Sequence, residues 1–277
     1  MLEKINARLA ELLNFCEEGL LREAMAYSLL AGGKRLRPML LLGACEAASG
    51  GSDASALDFA CALEMIHTYS LIHDDLPAMD DDDFRRGMPS SHKKFGEAMA
   101  ILAGDALLNR AYETMARTGK AEAMVIIAAA AGDNGMIAGQ VSDIFSENKK
   151  LDGEALFNIH SKKCGALFSA SLEAGAVLGG AAPDYAQAMR LVGAKIGWAF
   201  QILDDLLDLS SSPEALGKPT HSDSRNKKNT YVSVHGLSAA SADYARISAS
   251  ALLELEAIPQ KTGTLLELVR LLIDRKH

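Results

Sequence analysis

At 277 residues and 49% hydrophobic, the chain can bury a large core, as one big domain or two small ones. A formal net charge of -8 argues against nucleic acid as the main partner, because that role leaves a broad basic face. Cys16, Cys45, Cys61 and Cys164 show no CxxC spacing, which speaks for reduced thiols in a cytoplasm and against a disulfide frame or a zinc site.

The start, Met1-Leu2-Glu3-Lys4, lacks the basic region of a signal peptide. Apolar stretches such as Ala121 to Ala131 are interrupted or too short to cross a bilayer, so no membrane span is expected. Ala, Leu, Met and Glu abound, aromatics are only 5%, and no stretch alternates long enough to make a strand ladder, so the expected fold class is all-α. Breaks fall at Ala31-Gly32-Gly33, Ser49 to Ser52, Arg86 to Pro89, Asn148 to Gly153, Gly179 to Pro183 and the polar run Ser210 to Asn229.

The first informative segment is Gly32-Gly33-Lys34-Arg35-Leu36-Arg37-Pro38. Glycines let a backbone approach a ligand, and Pro38 suits the first turn of the apolar helix that follows, which leaves Lys34 and Arg37 near free amides at a helix N-terminus. Such a segment is either a diphosphate site or a basic loop between helices, and alone it favours the loop.

Next comes Asp74-Asp75-Leu76-Pro77-Ala78-Met79-Asp80, running through Asp81, Asp82 and Asp83 into Arg85 and Arg86. Pro77 cannot sit unstrained in a helix interior, so the helix should kink or end soon after Asp75, with Asp80 swinging back from the distorted turn. His67 lies nearly two turns before Asp74 and shares its face. His73 reads as a packed or capping residue rather than a ligand, and Met65, Met99, Met115 and Met136 as core filler. A calcium hand counted from Asp80 fails, because Phe84, Arg85 and Ser91 stand where it needs an oxygen ligand, Gly and Glu. The plain alternative is a solvated acidic turn.

The second cluster, Asp204-Asp205-Leu206-Leu207-Asp208, is the cleaner helical case. Asp204 and Asp208 lie one turn apart and project from one face within ~6 Å, a reach that lets them bridge cations, and Gln201 precedes them on that side. Closely set carboxylates repel and gain little from burial, so two such groups amid apolar helix point to hard divalent cations, magnesium first. Arg85 and Arg86 follow the first cluster, and Lys218, Arg225, Lys227 and Lys228 the second, which extends the reading to a magnesium-bridged polyphosphate. Neither repeat nor flexible linker separates the clusters, so one domain over residues 1–277 is expected, with the clusters facing each other across a central cavity.

These segments, together with Phe95-Gly96-Glu97-Ala98, Ala103-Gly104-Asp105-Ala106-Leu107, Gly139-Gln140 with Asp143, Lys163 before Cys164-Gly165-Ala166-Leu167, Phe200-Gln201, Gly217-Lys218 and Lys228-Asn229-Thr230-Tyr231, fall in a familiar order. The chain resembles the trans-isoprenyl diphosphate synthases, or polyprenyl synthetases, over nearly its whole length from Gly32 to Tyr231. The four-residue gap between Asp75 and Asp80 is similar to the bacterial and plastid type. The resemblance implies a single-domain isoprenoid-synthase helix bundle around a central active-site cavity, acting as a cytoplasmic homodimer.

It further implies a magnesium-dependent prenyltransferase that joins isopentenyl diphosphate to an allylic diphosphate. In that reading Asp74, Asp80 and Asp204 are the main ligands of three magnesium ions, with Asp75, Asp205 and Asp208 in or just behind that set. Arg85, Lys163 and Lys218 clamp the allylic diphosphate, and Lys228 helps from the far side of a lid formed by Ser210 to Asn229. Lys34, Arg37, His67 and Arg86 are similar to the residues that bind the isopentenyl diphosphate, while Gln201 and the backbone near Lys163 face the carbocation. Cys164 departs from the usual Thr, which removes a hydroxyl near the cation and costs rate, not activity.

Tyr69 and Ser70, five and four positions before the first aspartate, correspond to the floor of the elongation cavity. A tyrosine there is similar to the farnesyl-forming members, so fifteen carbons are expected, with the twenty-carbon geranylgeranyl product as runner-up. A terpene cyclase would carry an Asn/Ser/Glu metal motif in the second position, and an inactive partner subunit would have lost carboxylates; neither pattern is present. The tail Arg275-Lys276-His277 either reaches the isopentenyl site or frays.

Overall fold

Apolar residues one and two turns apart face α1 (Leu2–Leu13) onto the core through Ile5, Leu9 and Leu12. α2 (Leu20–Leu29) and α3 (Leu36–Ser49) follow, and α3 is closed by Gly50 at φ 70°, the left-handed geometry that glycine adopts without cost. α4 (Ala54–Asp74) is apolar on every side, and Phe59, Leu63 and Ile66 are wholly buried, which makes it a central helix. A short hairpin comes next, β1 (Phe84–Arg85) and β2 (Met88–Pro89), then α5 (Ser91–Phe95), α6 (Glu97–Ala116), α7 (Ala121–Ala131) and α8 (Met136–Ser146).

The Asp152 side chain accepts from the Ala155 amide at 2.8 Å and so starts α9 (Gly153–His160), which runs through a π turn (Ser161–Gly165) into α10 (Ala166–Leu178). α11 (Pro183–Ser210) carries the second aspartate cluster. A capping box between Thr230 and Ser233 opens α12 (Tyr231–His235), before α13 (Leu237–Ala257) and α14 (Gly263–Ile273). The computed structural model describes residues 1–50, 54–210, 228–258 and 262–274; Lys218, Arg225, Lys227, the tail Arg275-Lys276-His277 and nearly all of the polar run lie outside them.

α10 packs on α3, α4, α7 and α11, while α4 packs on α3 and α6. The described residues are therefore the all-α assembly that composition and periodicity predict, with one two-stranded exception at Phe84–Pro89. By length and composition alone the stretch Ala121–Ser146 is apolar enough to cross a membrane. A turn at residues 132–135 breaks the stretch in two, and Ala123, Ile127, Ala131 and Met136 pack into the core.

Beneath the start of α3 lies a buried ion pair. Arg35 and Glu64 are each 2% exposed and meet at 2.6 Å, and the same guanidinium donates to the Leu29 carbonyl at 2.7 Å and to Asn6 at 3.0 Å. Arg35 is thus committed to holding α1, α2 and α4 together, although sequence places it inside the basic segment beside Lys34 and Arg37.

Candidate active site

α4 stops where Pro77 follows its last turn. The chain then doubles back, so that the Asp80 amide donates to the Asp74 carbonyl at 2.8 Å and the Asp81 amide to the Leu76 carbonyl at 3.1 Å. That reversal sets Asp80 beside Asp74 at the wall of a cavity of about 820 Å³. On the opposite wall α11 presents Asp204, Asp205 and Asp208 from one stretch of helix. Asp205 is fastened there, accepting from Gln201 at 2.9 Å and from the Tyr231 amide at 2.6 Å.

The hairpin aims the arginines. Its two central residues, Arg86 and Gly87, have φ of 54° and 75°, the pattern of a type I′ turn, which matches the twist of paired strands. Arg86 donates to the Gly32 carbonyl and lies against Gly33, whose φ of 123° favours glycine. Arg85 is held by Asp75, through Nη2 and through Nε at 3.1 Å, and approaches Asp82 at 3.6 Å. Asp75 is 2% exposed and does not line the cavity, so the structure places it behind Arg85, apart from the other five predicted metal carboxylates.

Lys163 sits in the π turn, a local widening of the helix that often marks functional positions. Gly139 makes room for it, since a Cβ there would lie 2.3 Å from the Lys163 amide. The Lys163 ammonium pairs with Asp143 at 2.6 Å, and Lys228 with Asp80 at 2.7 Å and Asp143 at 3.8 Å. Asp143 is a site residue that sequence did not nominate, since its partners lie far along the chain; its place after Gly139-Gln140 was the available signal. Burial works against its charge, yet Lys163 and Lys228 hold its carboxyl below the ordinary aspartate range.

Among the arginines that line the cavity, Arg37 stacks over Phe168 at 4.4 Å and donates weakly to Cys164 Sγ at 3.8 Å. Cys164 therefore keeps a polar contact with Arg37. Burial first, and then Arg37, Arg86, Arg85 and Arg35, push His67 well below its ordinary value, so it enters the site as a neutral imidazole. Lys34 is exposed and does not line the cavity.

On α4, Tyr69 and Ser70 both line the cavity; Ser70 donates to the His67 carbonyl at 2.8 Å. Tyr69 is 6% exposed, and its hydroxyl has no hydrogen-bond partner among the described residues. His73 packs edge-on to Tyr69 at 5.7 Å and donates to the Ile101 carbonyl at 3.1 Å, with Gly104 leaving space for its ring.

Hard dications fit this donor set on two grounds. All the facing carboxylates are oxygen donors on opposed walls, and two lysine ammoniums already stand among them as cationic partners. Burial pushes the Asp74 carboxyl up to about 6, with Asp80 adding to the shift and Lys163, Lys228 and Arg85 opposing it. For metal-free protein the sign follows: the protonated form is favoured in the fold, so Asp74 contributes stability that is complete below about pH 4 and is lost as pH rises through about 6. Urea unfolding with a chelator present should show that loss, and Asp74→Asn should flatten it; an unchanged profile would reject the assignment.

Residues 18–268 match the sequence model of a family described as polyprenyl synthetase. A farnesyl diphosphate synthase of Geobacillus stearothermophilus is 48% identical over 79% of this chain and 76% of its own. The large subunit 1 of a heterodimeric geranylgeranyl pyrophosphate synthase from Arabidopsis thaliana chloroplasts is 45% identical over 85% of this chain and 66% of its own. Among solved structures, a geranyltransferase from Helicobacter pylori, complexed with magnesium and isoprenyl diphosphate, superposes with a TM-score of 0.86 at 34% identity, covering 98% of this chain and 94% of that one.

Proposed function

Since the chain belongs to the polyprenyl synthetase family, we propose that it is a magnesium-dependent farnesyl diphosphate synthase, condensing isopentenyl diphosphate with dimethylallyl and then geranyl diphosphate. It is a trans-prenyltransferase. The observation that carries the product reading is one cavity lined by carboxylates of both aspartate clusters, by Arg37, Arg85 and Arg86, and by Tyr69. One domain over residues 1–277 houses it. A homodimer in the cytoplasm is part of the same reading, supported by the exposed apolar side chains of Ile101, Leu102 and Phe145 on α6 and α8 and by four free cysteines.

Asp74, Asp80, Asp204 and Asp208 are the residues that would hold three magnesium ions, with Asp205 oriented by Gln201 and Asp75 supporting Arg85 from behind. Bound there, magnesium supplies charge that stabilises a leaving diphosphate. Lys163, Lys228 and Arg85 exchange their carboxylate partners for the allylic diphosphate, and Lys218 joins them from outside the described residues. The allylic C–O bond then breaks with its electron pair on the diphosphate. The isopentenyl double bond attacks the resulting cation, a C–C bond forms, and the proton lost beside the new bond passes to the released diphosphate. Arg37, Arg86 and neutral His67 orient the isopentenyl diphosphate, with Lys34 at the rim; Gln201 borders the cation.

Two measurements test this. Arg37 belongs with His67 and Arg86 to the group assigned to isopentenyl diphosphate, so Arg37→Ala should raise the KM for isopentenyl diphosphate by about tenfold to a hundredfold and leave the allylic KM nearly unchanged. Equal effects on both would reject the separate assignment of the two diphosphates. Incubation with isopentenyl diphosphate, an allylic primer and magnesium should yield fifteen carbons. Tyr69→Ala removes roughly a hundred Å³ of ring from the wall and should release products of twenty carbons or more. A mutant that still stops at fifteen, or a wild type that makes twenty, would place the floor elsewhere.

A further inference from the structure

Outside the cavity, one group of side chains has the makings of a second cation site. Asp81, Asp83 and His92 each offer one ligand atom, and these atoms all lie within 4.8 Å of one another. None of the three lines the catalytic cavity. His92 is 6% exposed and ordered by Ser90, whose Oγ is 3.0 Å from Nδ1. If Nδ1–H donates to that hydroxyl, the lone pair is left on Nε2, and Nε2 is buried with no hydrogen-bond partner among the described residues. A buried nitrogen left unmatched is costly, and a ring whose other nitrogen is tethered is the usual arrangement of a metal-bound histidine. The exposed Lys93 meets Asp83 at 2.8 Å and acts as a resident counter-ion.

We infer that Asp81, Asp83 and His92 bind a divalent transition ion, such as Mn²⁺ or Zn²⁺, at the base of the hairpin. Two carboxylates and one imidazole, with solvent to complete the shell, suit such an ion better than magnesium, which prefers oxygen throughout. The place matters because the Ser90 amide donates to the Asp83 carbonyl at 2.9 Å, closing the hairpin there. A cation shared between Asp81 and Asp83 on one side and His92 on the other staples the two ends of the segment that carries Arg85 and Arg86. The site therefore acts on the arginines' mounting and takes no part in bond breaking.

Pulsed EPR of Mn²⁺ bound in excess magnesium reads the site, because a directly bound imidazole gives a nitrogen coupling that carboxylate and water ligands lack, and the His92→Gln variant assigns it. Wild type should show one nitrogen-coordinated Mn²⁺ per chain, and His92→Gln should lose that coupling while keeping its helical circular dichroism. Ser90→Ala should weaken Mn²⁺ binding about tenfold to a hundredfold through the freed ring. Should His92→Gln fail to fold, Lys93→Ala decides at an exposed position: removal of the competing ammonium should tighten Mn²⁺ binding several-fold, by analogy with other charge-competition effects. Absence of nitrogen coupling in wild type, its persistence in His92→Gln, or unchanged affinity in Lys93→Ala would overturn the inference. None of these readouts depends on prenyl transfer, so they stand whether or not the product assignment does.

Discussion

Asp204→Ala should lower turnover by about a thousandfold or more, a barrier increase on the order of 4 kcal/mol. Asp204 is half-buried on the cavity face of α11, while the neighbouring Ile202 and Leu203 are buried and hold the helix in place. The loss therefore falls on the charge that meets the leaving diphosphate and not on the fold. Asp74→Ala should behave alike from the opposite wall, and chelation of magnesium should abolish turnover in the unaltered protein. Steady-state kinetics across a magnesium titration, beside circular dichroism, separates the two effects. An Asp204→Ala protein with ordinary turnover would mean that the two aspartate clusters do not act on one substrate.

The second large effect is on stability. Glu64→Ala should cost about 3–5 kcal/mol, because it leaves the Arg35 guanidinium buried without its carboxylate. The remaining bonds to Asn6 and the Leu29 carbonyl satisfy other nitrogens of the group but bring no full negative charge. Glu64→Gln retains an acceptor and should lose less. Urea unfolding measures both, and a loss below about 1 kcal/mol for Glu64→Ala would show that solvent reaches the pair.

Spacing made much of the site legible. Asp204 and Asp208 share a face by helical period alone, and the proline after Asp75 forecasts the reversal that delivers Asp80, now seen in the bond from the Asp80 amide to the Asp74 carbonyl. What spacing could not show is which charges face one another. Arg35 and Lys34 sit beside Arg37 in a basic segment, yet Arg35 is locked inside the core and Lys34 stands exposed, because the loop's left-handed turn at Arg35 (φ 48°) sends neighbours in different directions. The place of Asp143 after Gly139-Gln140 marks it locally, but its partners are not legible there, since Lys163 reaches it from the π turn and Lys228 from the segment before α12. The hairpin at Phe84–Pro89 is too short to produce an alternating pattern, and Asp75 looks the equal of Asp74 until Arg85 is seen to claim it.

The π turn at Ser161–Gly165 has a bearing on how this chain tolerates a change in length. α9 and α10 form one nearly continuous rod, but the widened turn puts them out of phase. A single-residue deletion inside an ordinary helix rotates everything beyond it by about 100° and so misdirects one whole face. Here the same deletion has a regular α-helix as its destination, and the rod would gain hydrogen-bond regularity while turning Lys163 off its line to Asp143. The bulge is thus a stored offset, kept at the cost of helix regularity, and shortening the chain there is a route to a sturdier protein with a misaligned ammonium.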